Sequence, residues 1–117
     1  MAQEKNFENK IKAYLKEQNC WVLKYWAGAE FTKEGIPDIL ACVHGIFFGI
    51  EVKAPKGRPT ILQLKNLRSI RRAGGIGVLV YPKDWYGFRD LVDSAEPNTW
   101  YVENIKFQEW WFDKLNT

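Results

Sequence analysis

Two short apolar runs joined by a two-residue turn constrain the fold of this 117-residue chain more than any other feature. Residues 39–43 and 46–52 have the length and the composition of buried strands. The dipeptide His44-Gly45 between them is typical of a tight hairpin turn. The sequence therefore predicts a β-hairpin in the middle of the chain.

Three charged side chains interrupt the apolar pattern of this hairpin. Glu51 and Lys53 lie two residues apart in the second strand, so they share one face at a separation of about 7 Å. The hairpin brings Asp38, which precedes the first strand, back alongside them. Because burying an unpaired charge is costly, the three groups require either mutual pairing or a bound cation. One interpretation is an ion pair of Lys53 with Asp38 or Glu51 across the strands.

Three segments follow one another in this part of the chain. They are Gly35-Ile-Pro-Asp38, Phe47-Phe-Gly-Ile-Glu-Val-Lys53 and Gly57-Arg-Pro-Thr-Ile-Leu-Gln63. Their order and spacing resemble the PD-(D/E)XK nuclease superfamily, and within it the VRR-NUC (virus-type replication-repair nuclease) branch found in phage and bacterial proteins. The resemblance covers about residues 4–82.

The resemblance implies a metal-dependent DNA endonuclease whose product carries a 5′-phosphate. Asp38, Glu51 and the carbonyl of Val52 would hold Mg²⁺ or Mn²⁺, which prefer hard oxygen ligands. The metal would lower the pKa of a bound water molecule and neutralise charge on the scissile phosphate. Lys53 would orient that water or stabilise the transition state.

Two further residues have two interpretations each. On the predicted first helix, residues 3–18, Glu8 lies at the margin of the apolar stripe, where it is either a third acidic metal ligand, as in the family, or an exposed partner of Lys12. Gln63 follows Thr60 by three residues, as in a capping box, and it faces the core of the predicted second helix. It either completes the catalytic site, as the family implies, or only caps the helix.

The remaining elements define the expected architecture. Residues 20–26 and 76–81 are predicted strands, and a strand-helix-strand unit implies a right-handed parallel crossover. The fold class we expect is α/β, with an α-β-β-β-α-β core, a mixed sheet and flanking helices, similar to restriction endonucleases. We expect one domain over residues 1–117, with its core at about 4–82 and a helical C-terminal addition at about 83–117.

The C-terminal addition is rich in aromatic residues. Asp84 is expected to cap a short helix, and residues 99–102 a brief strand. Apolar side chains from Phe107 to Leu115 recur at helical spacing. We expect these to cover the sheet or to form a subunit contact rather than to stack on bases.

Charge is distributed unevenly along the chain, although its net value is only +3. Residues 53–83 contain eight Lys and Arg but no Asp or Glu. Such a one-signed block suits a polyanionic ligand better than a neutral one. The candidate DNA contacts are Lys24, Lys33, Lys56, Arg58, Lys65, Arg68 and Arg72.

Several classes of site are disfavoured. Cys20 and Cys42 form no Cys-x-x-Cys motif and are expected to be buried free thiols. His44 has no partner for a zinc site or a catalytic triad. No signal-peptide pattern or long apolar run is present, so we expect a cytoplasmic protein of a bacterium or phage-infected cell, with neither a membrane nor a nucleotide cofactor as partner.

The sequence thus predicts a Mg²⁺- or Mn²⁺-dependent deoxyribonuclease that selects branched or junction DNA in phage or bacterial replication or repair. We expect a homodimer, because cutting two strands of a junction requires two active sites related by a two-fold axis. The alternative classes are a non-catalytic nucleic-acid-binding module and a structural protein in which the three charges form an ion-pair network. An acid hydrolase based on Asp38 and Glu51 would leave Lys53 without a role.

Overall fold

The computed structural model describes residues 2–26 and 34–96, and its elements follow the expected order. They are α1 (Ala2–Glu17), β1 (Trp21–Lys24), β2 (Ile39–Val43), β3 (Ile46–Val52), α2 (Ile61–Arg72), β4 (Ile76–Val80) and α3 (Trp85–Ser94). The expected α/β fold class is confirmed. The strand and helix expected at 99–102 and 107–115 lie outside the described residues.

The four strands form one mixed sheet in the order β1-β2-β3-β4. β1, β2 and β3 pair antiparallel, whereas β4 joins β3 in parallel after the α2 crossover. At the hairpin turn, His44 has φ 50° and Gly45 has φ 87°. Positive φ at both central residues is the requirement of a two-residue turn whose twist matches that of the strands, so the predicted turn is confirmed.

The two faces of the sheet are covered by different helices. On one face, apolar residues of α1 and α3 pack on alternate residues of β2, β3 and β4 in the main core, in which Ile11, Phe48 and Phe88 are fully buried. On the other face, Leu64 and Leu67 of α2 form a smaller cluster with β4. Both faces of the sheet therefore carry apolar packing against a helix, as expected for a sheet with flanking helices.

Helix α2 rests directly on the backbone of β4. A Cβ atom at Gly77 would lie 2.3 Å from the carbonyl oxygen of Leu67, so this close approach requires glycine. Arg71 Nε donates to the carbonyl oxygen of Gly77 at 2.7 Å, which adds a second tie between helix and strand. Both contacts fix α2 on the sheet at Gly77, which pairs with Gly49 of β3, two residues before Glu51.

The second face of the sheet is open around β1 and β2. Trp21, Leu23 and Phe47 are each about half exposed there. Cys42, which pairs with both Trp21 and Phe47, is also exposed, so the expectation of a buried thiol is wrong for Cys42. Successive residues of β2 point to opposite faces of the sheet, and Cys42 points to the face that α2 covers over β3 and β4 but not over β2.

The entry to α3 differs in detail from the prediction. A 3₁₀ turn at Pro82–Asp84 precedes the helix, and Asp84 makes no side-chain cap bond to it. Its carboxylate instead accepts a hydrogen bond from the amide of Tyr81 at 3.0 Å. Among the described residues, none of the helices has the length and apolar character to cross a bilayer.

Candidate active site

Asp38 lies directly before β2, and its carboxylate spans the hairpin to β3. Its Oδ2 accepts a hydrogen bond from the backbone amide of Val52 at 2.9 Å. Its own backbone carbonyl accepts from the amide of Tyr25 at 2.9 Å. The side chain is only partly buried, and its other oxygen, Oδ1, lies 3.7 Å from the ammonium of Lys24. The hairpin thus brings Asp38 next to the Glu51–Lys53 segment, as the strand geometry predicts.

Glu51 is the most deeply buried charged residue of the described part, with 2% exposure. Its Oε2 lies 3.6 Å from the ammonium of Lys53 and accepts a hydrogen bond from Gln63 Nε2 at 3.1 Å. Its Oε1 is buried without a hydrogen-bond donor in the described ranges. Burial, and then the negative charge of Asp38, raise the pKa of Glu51 to about 8, against the opposing effect of Lys53. An additional cation would be stabilised at this position.

Gln63 makes the capping contacts that the sequence predicts and also contacts Glu51 of the candidate site. Its Oε1 accepts from the Thr60 amide at 2.9 Å while its own amide donates to Thr60 Oγ1 at 3.1 Å, which completes the capping box. The other end of the same carboxamide donates to Glu51. The start of α2 is therefore coupled directly to the buried carboxylate.

Glu8 points inward from α1, which is one of the two orientations that its position at the margin of the stripe left open, and it is 4% exposed. Its Oε1 lies 2.6 Å from the ammonium of Lys24, and its Oε2 lies 3.4 Å from Lys12 and 3.6 Å from Lys5. Burial acts to raise the pKa of Glu8, but the pairs with Lys24 and Lys12 outweigh it and lower the pKa below the ordinary value. The expected pairing with Lys12 is present, although it is buried rather than exposed.

Lys24 is the residue whose position the sequence did not predict. Its ammonium contacts Glu8 at 2.6 Å and Asp38 at 3.7 Å, so it links α1 to the site. The sequence predicts Lys24 only as a candidate DNA contact. The signal was present in the alternation of β1, in which Lys24 and Val22 share the face opposite to Trp21 and Leu23.

The other basic candidates lie outside this cluster. Lys56 and Arg58 are exposed on the loop after β3, which Tyr81 holds by donating its hydroxyl to the carbonyl of Gly57 at 2.7 Å. Along α2, the remaining three recur every three or four residues on its outer side. These are Lys65, Arg68 and Arg72. Lys33 lies outside the described residues.

One family model matches this chain, and it describes the archaeal Holliday junction resolvase (Hjc). The match covers residues 2–80, which include every element from α1 to β4. The chain belongs to the Hjc family. Hjc is a PD-(D/E)XK-type nuclease family, so the expected superfamily is confirmed, whereas the match does not support the VRR-NUC branch. A comparison with curated proteins gave no match.

The residues present fit the divalent metal on which Hjc-type nucleases depend. Asp38 and Glu51 offer hard carboxylate oxygens, and the undonated buried Oε1 of Glu51 is the kind of atom that a cation satisfies. Within residues 2–26 and 34–96, no three acidic, histidine or cysteine side chains are close enough to form a metal site. Two carboxylates are sufficient for Mg²⁺, which keeps water and substrate oxygens as its other ligands.

Proposed function

We propose that this protein is a metal-dependent endonuclease that cleaves four-way DNA junctions. The observation that carries the proposal is the convergence of Asp38, Glu51 and Lys53 at one end of the sheet, in a chain of the junction resolvase family. The raised pKa of Glu51 supports it, because a carboxyl held against its preferred ionisation is typical of catalytic sites.

Each residue of the site has a role in this proposal. Asp38, Glu51 and the Val52 carbonyl would hold Mg²⁺ or Mn²⁺, which when bound acidifies a water molecule and neutralises the scissile phosphate. Lys53, 3.6 Å from Glu51, donates to a phosphate oxygen and stabilises the charge that develops there. Gln63 orients the Glu51 carboxylate through its hydrogen bond.

The experiment is cleavage of a labelled DNA panel, containing a four-way junction, a flap and a plain duplex, with Mg²⁺, Mn²⁺ or a chelator. We expect the junction to be cut preferentially and only with metal. Asp38→Asn and Lys53→Ala should reduce the rate about a hundredfold or more. Junction binding by the wild type without cleavage under any metal condition would contradict the proposal and favour a non-catalytic binding module.

We further propose that the DNA path follows the loop after β3 and the outer side of α2. Replacing both Lys65 and Arg72 by alanine should weaken binding to every sequence, because lysine and arginine neutralise backbone phosphates without reading bases. The slope of log affinity against log salt should fall by about two units. Lys16→Ala, on exposed α1 surface, is the matched control. An unchanged slope in the double variant would place the DNA elsewhere.

Glu8 is proposed to support metal binding through Lys24, because no three acidic side chains of the described residues lie close enough together to form a metal site. In Glu8→Gln, the ammonium of Lys24 loses its closest carboxylate partner. It can then pair with Asp38, which lies 3.7 Å away, and compete with the metal for that carboxylate. We expect the Mg²⁺ concentration for half-maximal cleavage to rise about tenfold, with partial rescue by Mn²⁺. Glu17→Gln, an exposed change on the same helix, is the control. Superimposable metal curves for Glu8→Gln and wild type would remove Glu8 from the site.

We also propose that the active species is a homodimer, since cleavage of two opposed strands requires two sites. The aromatic segment expected to form the contact lies outside the described residues. Light scattering at tens of micromolar protein should give twice the chain mass of 13.7 kDa. A monomeric mass under conditions of full activity would contradict this proposal and favour single-strand nicking.

A further inference from the structure

Trp26 is an exposed aromatic residue at the end of β1, next to the site. Its relative exposure is 66%, which is high for a residue with so large an apolar surface. Two ammonium groups lie over its ring, that of Lys5 at 5.2 Å and that of Lys24 at 5.4 Å from the ring centroid. The preceding residue, Tyr25, donates its amide to the carbonyl of Asp38. The backbone next to Trp26 is therefore hydrogen-bonded to Asp38, while the indole itself stays exposed.

A second tryptophan with a cation over its ring shows what a structural contact looks like in this protein. Trp85 lies 4.4 Å from the ammonium of Lys10 and also packs edge-on against Phe7 and Tyr14 and stacks on Phe88. Within the described part of the chain, Trp26 has no such aromatic neighbours. Packing explains Trp85, whereas it leaves the exposed face of Trp26 unexplained.

The ammonium of Lys24 connects Trp26 to the carboxylates. It lies 5.4 Å from the indole centroid and 3.7 Å from Asp38 Oδ1. The ammonium of Lys24 thus lies between the indole ring and Asp38, which is proposed to bind the metal. A nucleotide whose phosphate lies at the metal that Asp38 is proposed to hold would have a neighbouring base within reach of the indole.

A largely exposed indole with two ammonium groups nearby has the properties of a stacking platform for an unpaired base. Platforms of this kind use the aromatic face for the base and the nearby cations for the backbone. In continuous duplex both faces of each base pair are already stacked, so the ring has no base face to cover. At the branch point of a junction the stack is interrupted, and a base face becomes available.

We propose that Trp26 stacks on a nucleobase at the branch point of the DNA, adjacent to the phosphate that is cut. This inference rests on the proposed function and adds a residue that selects branched over continuous DNA. The ring contributes no chemistry to the cleavage step. Its effect is to hold the branch point in register with Asp38 and Glu51.

The test measures metal-free binding, with a chelator present, to a four-way junction and to a duplex of the same sequence. Trp26→Ala should weaken junction binding about tenfold, as expected for loss of one stacked base, and leave duplex binding unchanged. Trp26→Phe, which keeps a ring, should retain most of the affinity. Tyr86→Ala is the control, because Tyr86 is 75% exposed on α3 and is not part of the site.

A fluorescent base separates stacking from a general loss of affinity. With 2-aminopurine beside the branch point, saturating wild type and Trp26→Phe should change its emission, whereas Trp26→Ala and Trp26→Leu should not. Trp26→Leu keeps apolar bulk without a ring, and it serves in place of the alanine variant if that variant is less stable in urea. The proposal would be overturned if Trp26→Ala and Trp26→Leu both changed the 2-aminopurine emission as the wild type does and bound the junction with the same affinity as the wild type.

Three outcomes distinguish this inference from its alternatives. If Trp26 only positions Lys24, the ring-free variants will shift the Mg²⁺ dependence of cleavage and leave the 2-aminopurine signal intact, which overturns stacking. If the wild type binds the junction and changes the 2-aminopurine emission but cuts no DNA, the proposed function fails while the stacking proposal stands. If the wild type cuts junctions and Trp26→Ala binds them equally well, only the stacking proposal fails.

Discussion

Glu51→Gln is expected to abolish cleavage and at the same time to stabilise the metal-free fold above neutral pH. Glu51 is 2% exposed and has a pKa raised to about 8 by burial and by the charge of Asp38. Glutamine keeps the size of the side chain and can accept from Gln63 and Lys53, but it carries no charge to desolvate. Loss of one proposed metal ligand should lower the cleavage rate about a thousandfold.

The sign of the stability effect follows from proton linkage. The folded protein retains a proton on Glu51 that the unfolded chain releases above its ordinary pKa of 4.5. The folded state therefore binds more protons between pH 4.5 and 8, and the free energy of unfolding falls as the pH rises through this window. The loss contributed by Glu51 is on the order of 1 kcal/mol per pH unit and ends above pH 8.

Urea unfolding of wild type and Glu51→Gln from pH 5 to 9, with a chelator present, measures this difference directly. We expect the two stabilities to diverge steadily with rising pH, with Glu51→Gln the more stable at pH 8. Groups that do not interact with residue 51 contribute equally to both curves and cancel in the comparison. Glu17→Gln, an exposed substitution, should follow the wild-type curve. Parallel curves for wild type and Glu51→Gln would show that Glu51 is ionised in the metal-free protein at neutral pH.

Metal binding is expected to expel the proton from Glu51, which makes the metal affinity strongly dependent on pH. A carboxyl group must be ionised to act as a ligand, so each bound ion would release close to one proton below pH 8. The apparent affinity for Mg²⁺ or Mn²⁺ should rise about tenfold for each pH unit up to pH 8 and then level off. The apparent metal affinity would be correspondingly low in weak acid.

Calorimetric titration of the DNA-free protein in two buffers of different ionisation heat counts the released protons. About one proton per metal at pH 6.5 is expected for wild type, and none above pH 9. Asp38→Asn should bind metal more weakly and release less than one proton, because the charge of Asp38 is one cause of the raised pKa. Identical heats in the two buffers at pH 6.5 would show that Glu51 is not the group that the metal deprotonates.

Local sequence signals predicted the elements that carry the site. Thr60 and Gln63 form the predicted capping box at the start of α2, and the hairpin turn lies at His44-Gly45. The hairpin places Asp38 beside the end of β3, where it accepts a bond from Val52. These features depend on contacts between residues a few positions apart or on the period of a strand, so they can be inferred from the order of residues alone.

Long-range packing determined the features that the sequence left open or predicted incorrectly. Alternation in β1 places Lys24 on the same face as Val22, but it does not identify a partner; α1 packs over β1 and presents Glu8 to the Lys24 ammonium. Cys42 resembles a buried strand residue, yet the face that it shares with Trp21 and Phe47 is open. Both outcomes depend on which helix covers which part of the sheet.

The sequence by itself determined the order of the elements, the hairpin and the set of residues at the proposed site. Only the tertiary structure decided the electrostatics of that site. It buried Glu51 against Asp38 under α2, joined Gln63 to it across the crossover, and inserted Lys24 between Glu8 and Asp38. The physical reason is that residue order encodes local periodicity, whereas the pKa of a carboxyl group depends on burial and on charges brought near it by distant segments.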